Sequence, residues 1–179
     1  MNLEEGFLKD TLRRFENYRN LGEKTFEQLQ ETDFFFRPSP QSNSIAVIIQ
    51  HLYGNMLSRF TNFLTEDGEK PWRKRDAEFE EMQMTAADLR SCWEEGWNCL
   101  FAALRSLGPG DLTKTIYIRT EPLFVYDAIL RQLAHYASHV GQIITIGRII
   151  RDKDWKTLSI EKGASKQYDL TMANKFLKK

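Results

Sequence analysis

Residues 131–148 read RQLAHYASHVGQIITIGR, and they lie in the most apolar of the long helical segments that the sequence predicts. His135 and His139 are four residues apart, so on a helix their side chains project from the same face, about one turn apart. Two imidazoles at this spacing can share one metal ion. His51, the third histidine of the chain, lies in another predicted helix. It could complete a three-nitrogen face with an open coordination position, as in a reactive metal site.

Four long segments carry the periodicity of amphipathic helices, and together they predict an all-α fold, a four-helix bundle. They run from about residue 3 to 31, from 43 to 64, from 85 to 104 and from 120 to 151. The last helix is expected to begin at Thr120–Glu121–Pro122, because a capping hydroxyl, an acidic residue and a proline suit a first turn. The segments between helices two and three and between three and four are long enough for crossover connections, so the helix order stays open.

Two shorter features accompany the predicted bundle. Residues 113–118 alternate apolar and polar side chains, which indicates a short extended segment lying over the helices. The helical pattern breaks after Trp155, and DLTMANKFLKK could form a loose terminal helix. We therefore expect residues 1–152 to form the bundle and residues 153–179 to form a C-terminal extension or tail.

The composition is that of one soluble domain. The chain has 179 residues, of which 41% are hydrophobic, enough for a sizeable core. Its 25 basic residues balance 25 acidic ones, so no general attraction to nucleic acid or anionic membranes is expected. No apolar run reaches the roughly 18 residues of a membrane span, and the start MNLEEGFLKD does not resemble a signal peptide. We expect a cytoplasmic protein that acts on a small molecule.

Cys92 and Cys99 are the only cysteines of the chain. On a predicted helix, seven residues separate them by about 10 Å along the axis. A disulfide requires Cα atoms within roughly 7 Å of each other. We interpret both cysteines as small core residues rather than redox groups.

The histidine spacing alone leaves two interpretations open. A histidine at the margin of an apolar helix face is more often a core or surface residue than a ligand, and an HxxxH pair arises by chance. No glutamate lies between His135 and His139, so the pair is not the HExxH of a zinc protease. Each histidine nevertheless borders the apolar stripe of its helix, where a buried imidazole needs partners for both nitrogens. Structural histidines and a metal site are therefore about equally favoured.

Two longer strings resemble the signature regions of the DinB-like superfamily: NSIAVIIQHLYGNMLSRFTNFL at residues 43–64, and the 131–148 stretch. DGEKPWRKRDAEFE and WKTLSIEKGAS are similar to an uncharacterised bacterial branch of that superfamily, a domain of unknown function. The resemblance covers roughly residues 1–168. It implies a metal-binding four-helix bundle of DinB/YfiT-like type, often a homodimer. By this resemblance the metal ligands are His51, His135 and His139.

The resemblance also implies chemistry on small molecules. Relatives in the superfamily include thiol transferases, which use a low-molecular-weight thiol such as bacillithiol or mycothiol, and a maleylpyruvate isomerase. A metal can lower the pKa of a bound thiol or water, so that either attacks an electrophile. Zinc suits three nitrogens and one open position, while nickel or iron would favour extra waters. We expect a divalent-metal-dependent enzyme, such as a thiol S-transferase, with zinc or nickel. A metal-dependent hydrolase and a non-catalytic metal- or ligand-binding bundle are the alternatives.

Three further residues are candidates for the pocket around the metal. Asn55, one turn beyond His51, could bond a metal-bound water or ligand, or could serve helix packing. Gln142, three residues after His139, could support a metal ligand without binding the metal itself, or could connect two helices. Arg59 could clamp an anionic substrate, although a surface salt bridge is the commoner role.

Charged residues elsewhere have a simpler interpretation. The basic, aromatic loop Trp72–Arg75 could hold an anionic substrate or a thiol with carboxylates. A solvated charge run facing the acidic stretch 78–81 is the commoner explanation. Arg119 and Glu121 are interpreted as capping and ion-pair residues at the start of the last helix, about 20 Å along its axis from His135.

Overall fold

The computed structural model describes residues 2–80 and 83–177. Over these residues the protein is mainly helical, with one small two-stranded sheet. The α-helices are α1 (Leu3–Phe26), α2 (Ile45–Phe60), α3 (Ala86–Arg105), α4 (Val125–Arg151) and α5 (Ser165–Phe176). Strands β1 (Thr115–Ile118) and β2 (Glu121–Phe124) pair in antiparallel register. The extended segment predicted at residues 113–118 is therefore confirmed as β1.

Side-chain caps explain where the second and third helices begin. The hydroxyl of Ser44 accepts a hydrogen bond from the backbone N–H of Val47 at the start of α2. Thr85 and Asp88 form a reciprocal capping box at the start of α3. Each cap pairs an N–H group that would otherwise lack an intrahelical partner. Both starts agree with the expected ones, near residues 43 and 85.

The four long helices share one core. Helix α2 packs against α3 and α4, and α1 packs mainly against α4. At its centre the fully buried rings of Phe15, Trp97 and Tyr136 come from α1, α3 and α4, with centroids about 6 Å apart. The hydroxyl of Tyr136 donates a 2.9 Å hydrogen bond to Oδ1 of Asn55 on α2. Because Tyr136 directly follows His135, this packing fixes the first histidine of α4 relative to α2.

Helix α4 begins at Val125, so the expected start at Thr120 is wrong. Arg119 and Thr120 instead form the two-residue turn between β1 and β2, with φ angles of 55° and 64°. Two positive φ angles are what a type I′ hairpin turn requires. The Thr120–Glu121–Pro122 sequence led to the wrong prediction because it is compatible with a strand that follows a turn as well as with a first helical turn. Glu121 therefore caps no helix, but it does form an ion pair with Arg131, at 3.0 Å.

The chain after α4 returns to the end of α1 before α5 begins. The backbone N–H of Lys156 donates to Oε1 of Gln28, and the amide of Gln28 donates back to the Lys156 carbonyl. Helix α5 starts at Ser165 and buries none of its residues, as expected for a loose terminal helix. Residues 178–179 of the expected tail lie outside the described residues. None of the described helices has the length and apolar character needed to cross a membrane.

Cys92 and Cys99 are unpaired, half-buried thiols on the edge of the core. Burial raises the pKa of each thiol above its ordinary value. A raised pKa keeps both groups protonated and poorly nucleophilic at neutral pH. This agrees with the interpretation of both residues as packing groups.

Candidate metal centre

Three histidines converge between α2 and α4. His51 comes from the first half of α2, and His135 and His139 come from the middle of α4. The Nε2 atom of His135 lies 3.3 Å from that of His51 and 3.0 Å from that of His139. A tetrahedral zinc ion with bonds of about 2.0–2.1 Å needs ligand nitrogens about 3.3 Å apart. The ligand atoms of the three residues all lie within 4.8 Å of one another, so the group could hold a metal ion.

The opposite ring nitrogen fixes the orientation of two of these imidazoles. Nδ1 of His51 lies 2.9 Å from a carboxylate oxygen of Glu78, and Nδ1 of His139 lies 3.0 Å from Oε1 of Gln142. Both oxygens only accept, so each Nδ1 carries the proton and donates it. The lone pair then resides on Nε2, the atom that points into the cluster. This donor set fits a divalent ion, because a ring that donates from Nδ1 can present the lone pair of Nε2 to the metal.

Burial keeps the two histidines of α4 neutral. Burial, followed by the neighbouring His139 and His51, lowers the pKa of His135 to about 3. Burial also lowers the pKa of His139, although its hydrogen bond to Gln142 acts in the opposite direction. Neutral imidazole is the form that binds a metal, so both side chains are in the binding form at neutral pH.

A buried ion pair supports the histidine of α2. Arg73 donates to both carboxylate oxygens of Glu78, from Nε at 2.7 Å and from Nη2 at 2.9 Å. The two side chains are only 1% and 10% exposed. Burial alone would raise the pKa of Glu78, but the hydrogen bonds from His51 and Arg73 outweigh it and lower that pKa. Glu78 therefore remains an anion behind His51, as in the carboxylate–histidine pairs of metal sites.

The interpretation of this loop as a solvated charge run is wrong for two of its residues. Arg73 and Glu78 face inward, whereas Trp72, Arg75 and Glu80 are exposed as expected. Residue 81 of the acidic stretch lies outside the described residues. Sequence reasoning missed Glu78 because it is one of several acidic residues in a charged segment, 27 residues from His51, and nothing in the local pattern sets it apart.

Gly54 allows the loop to approach helix α2. A Cβ atom at this position would lie 2.9 Å from Cδ of Glu78, inside van der Waals contact. Gly54 follows His51 by three residues, so it shares the face of α2 that carries the histidine. The missing side chain therefore makes room for the carboxylate that bonds His51.

The three candidate pocket residues all lie in or beside the site. Asn55 is buried, accepts the hydrogen bond from Tyr136 and also lines a cleft next to His51. Gln142 contacts the ring of His139. Arg59 does form a salt bridge, to Glu69 at 3.1 Å, but the expectation of a surface pair is wrong because its side chain is buried.

The cleft beside the histidines has a volume of about 270 Å³. His51 and His135 open onto it, together with Asn55 and Gln132, and arginines form the rest of its wall. Within the described part of the chain, the buried Oε1 atom of Gln132 has no hydrogen-bond partner. Gln132 was not among the candidate pocket residues, although it lies three residues before His135 on the same helical face. A small molecule in this cleft would lie beside the cluster.

One family matches this chain over most of its length. It is described as a protein of unknown function, DUF1572, and the match covers residues 2–164. That range includes helices α1 to α4, the three histidines and Glu78, and it ends immediately before α5. No curated protein and no solved structure matches the chain.

Proposed function

The chain belongs to the DUF1572 family of unknown function, and we propose that it binds one divalent metal ion through His51, His135 and His139. The main support is the convergence of their Nε2 atoms, with neighbouring pairs 3.0 Å and 3.3 Å apart. If the three histidines met only by chance packing, hydrogen-bond acceptors at Nδ1 of two of the rings would not be needed. Here Glu78 and Gln142 supply those acceptors.

We also infer that the fold is a four-helix bundle of the DinB/YfiT-like type. The support is that α1 to α4 share a core and that α2 supplies one histidine and α4 the HxxxH pair. The β1–β2 hairpin and helix α5 then extend this bundle. A homodimer is part of the same proposal.

The ion would leave a position for a small ligand and lower the pKa of a thiol or a water molecule there. Glu78 accepts a hydrogen bond from Nδ1–H of His51. This bond makes Nε2 of the same ring a stronger lone-pair donor to a metal ion. Arg73 donates to both oxygens of the Glu78 carboxylate. Gln132 contributes a buried oxygen that can accept a hydrogen bond from a ligand in the cleft.

An open coordination position favours an enzyme over a structural metal site. Structural sites are closed by a fourth protein ligand, whereas catalytic sites keep one position free. Among the described residues the cluster contains three histidines and no fourth histidine, cysteine or acidic side chain. The cleft next to His51 and His135 supplies the space that a substrate needs.

The reaction we propose is transfer of a low-molecular-weight thiol to a small electrophile. In such a transfer the thiol loses its proton and its sulfur bonds to the electrophilic carbon. The leaving group departs with the electrons of its former bond, and the proton of the thiol passes to the solvent. A metal-dependent hydrolase is the alternative, with water in place of the thiol.

Metal content is the experiment that tests this proposal. Protein purified without a histidine tag should contain about one zinc or nickel per chain by elemental analysis. The variant with all three histidines changed to alanine should contain none and should keep its helical circular dichroism. Removing the metal with a chelator and restoring it should lower and then recover the melting temperature, because the ion binds the folded state. Wild-type protein that takes up no metal, even after incubation with zinc or nickel, would contradict the proposal.

Activity assays then separate the alternatives. Metal-loaded protein is incubated with model electrophiles and esters, in the presence and absence of a low-molecular-weight thiol. Consumption of an electrophile only when thiol is present identifies a transferase. Turnover without thiol identifies a hydrolase, and metal binding without turnover of either class favours the non-catalytic binding protein.

A further inference from the structure

We infer that the cleft beside the three histidines binds a small organic anion through its arginines. The ligand class is a metabolite that carries a carboxylate or phosphate group. Naming this anion as the substrate rests on the metal-dependent function proposed above. Anion binding itself does not rest on it, because none of the arginines is among the proposed metal ligands.

The wall of the cleft is strongly cationic. Five arginines line it and, among the described residues, no carboxylate does: Arg59, Arg73, Arg75, Arg119 and Arg131. The charge of the whole chain is balanced, so this concentration of guanidinium groups is local. A concave surface with one sign of charge and low-dielectric walls attracts ligands of the opposite sign.

The acidic partners around the cleft are fewer than the arginines. One carboxylate, that of Glu69, is shared by Arg59 at 3.1 Å, Arg119 at 2.8 Å and Arg73 at 3.7 Å. Burial and then the neighbouring Arg73 lower the pKa of Arg59, although Glu69 opposes both. Arg73 is also held by Glu78, Arg131 pairs with Glu121, and Arg75 lies 3.8 Å from Asp76. The five cations of the wall therefore have four acidic partners, and a bound anion would supply a further negative charge.

The arginines differ in depth. Arg59 and Arg73 are buried at the base, where Nη1 of Arg73 has no hydrogen-bond partner within the described ranges. Arg119 and Arg131 are half-exposed at the mouth. Guanidinium groups bind carboxylates and phosphates with paired, charge-assisted hydrogen bonds. The mouth residues can reach an incoming anion without breaking the buried network.

A strained turn holds Arg119 at the mouth. Arg119 and Thr120 both have positive φ, a conformation that is sterically unfavourable for residues other than glycine. The carboxylate of Asp67 accepts the backbone N–H of each, at 2.8 Å. Strain of this kind persists only where neighbouring structure enforces it, and it is common at ligand-binding sites. Asp67 thus enforces the turn that brings Arg119 to the cleft.

The size of the cleft limits the ligand. Its volume of about 270 Å³ is near the lower end of the roughly 300–1,000 Å³ typical of small-molecule sites. A metabolite with one or two anionic groups fits this space, whereas a nucleic acid or a peptide would have to remain outside. Gln132 adds an acceptor beside the anionic subsite, so the ligand should also carry a hydrogen-bond donor.

Isothermal titration calorimetry with two probe anions tests the inference. Succinate represents carboxylates, and inorganic phosphate represents phosphates. Each is titrated into zinc-loaded and into chelator-treated protein, and the metal content of every sample is measured. The chelator-treated sample excludes direct coordination of the anion by the metal.

The variants are Arg131→Gln and Arg119→Gln, with Arg13→Gln as the matched control. Arg13 also pairs with a single acid, Asp10, but it is exposed on α1 away from the cleft. We expect one anion per chain, bound more weakly at high salt. Each cleft variant should weaken binding roughly tenfold, while the control should bind as wild type does. The probe that binds more tightly assigns the group as carboxylate or phosphate.

Two results would overturn the inference: no binding of either anion at roughly 10 mM, or an equal loss of affinity in the Arg13→Gln control. Either result in protein that contains metal rejects the anion site and leaves the proposed metal function intact. Protein that binds the anion but no metal rejects the metal function and leaves the anion site intact.

Discussion

The carboxylate of Glu78 accepts a 2.9 Å hydrogen bond from Nδ1 of His51, in a contact that is almost completely buried. It joins a loop to the helix that supplies one corner of the histidine cluster. Arg73 fixes the same carboxylate from the other side. His51 is therefore oriented by an anion that is itself held in place, which is how a metal site maintains ligand geometry.

The substitution Glu78→Gln should weaken metal binding about 10- to 100-fold. The amide is neutral, so it makes Nε2 of His51 a poorer donor, and it leaves the buried Arg73 without its principal anion. The dissociation constant for zinc should be measured by competition with a chromophoric chelator, well below the melting temperature. Glu80→Gln removes an exposed charge from the same loop and should bind zinc as wild type does. Equal affinities in wild type and Glu78→Gln would contradict a supporting role for Glu78.

Gly54→Ala should disturb the hydrogen bond between His51 and Glu78 from the side of helix α2. The added Cβ would lie 2.9 Å from Cδ of Glu78, so the loop must move away from α2. We expect a lower melting temperature and weaker zinc binding. Gly141→Ala is the matched control, because Gly141 is also helical and a Cβ there meets nothing within 4 Å. The control should gain up to about 1 kcal/mol of stability from the better helix propensity of alanine. Unchanged zinc binding in Gly54→Ala would contradict the close packing of Glu78.

The sequence pointed to the histidines and to Gln142, which contacts His139, but not to Glu78 and Arg73, which support His51. His135 and His139 share a helical face by simple periodicity, and resemblance to a known superfamily linked them to His51. Glu78 lies in a single short 3₁₀ turn, Asp76–Phe79, which is too short for a periodic pattern to indicate the direction of its side chain. Its inward orientation results from tertiary contacts with Arg73 and His51, which no local pattern encodes.

The β1–β2 hairpin before α4 could not be predicted from the sequence, for a different reason. Arg119 and Thr120 occupy a turn that usually selects asparagine and glycine, because both positions need positive φ. The preference is overridden by Asp67, 52 residues earlier in the chain, which bonds both backbone N–H groups. A stabilising contact over such a separation cannot be inferred from local residue types, so the start of α4 was misassigned.

Asp67→Asn should destabilise this hairpin in a pH-dependent way. The carboxylate accepts backbone N–H groups from Glu69, Arg119 and Thr120, whereas an asparagine would direct N–H groups at one of these donors. Although burial would raise the pKa of Asp67, these hydrogen bonds lower it below its ordinary 3.8. A lowered pKa stabilises the fold above the ordinary value, and this stability is lost as pH falls through the folded-state pKa. The difference in melting temperature between wild type and variant should be full at neutral pH and should shrink in strong acid. A constant difference would reject this role.

Thr120→Gly should stabilise the protein by roughly 1 kcal/mol, because glycine adopts positive φ without the steric penalty of a β-branched residue. Thr115→Gly is a control of opposite sign. Thr115 is an exposed strand residue on β1, where glycine adds only flexibility and should destabilise by up to about 1 kcal/mol. Urea denaturation gives both free energies of unfolding. Destabilisation by both glycine substitutions would indicate that the turn is not strained.

The homodimer prediction can be tested at an apolar groove between the start of α1 and the first half of α4. Leu3, Phe7, Leu130 and Leu133 line this groove, and Leu130 is 44% exposed. Sedimentation velocity at micromolar concentration should give a dimer for wild type and a monomer for Leu130→Glu, because a buried unpaired carboxylate opposes association. Leu170→Glu places the same charge on exposed α5 and should remain dimeric. A monomeric wild type would reject the homodimer, and a dimeric Leu130→Glu would move the interface to another face.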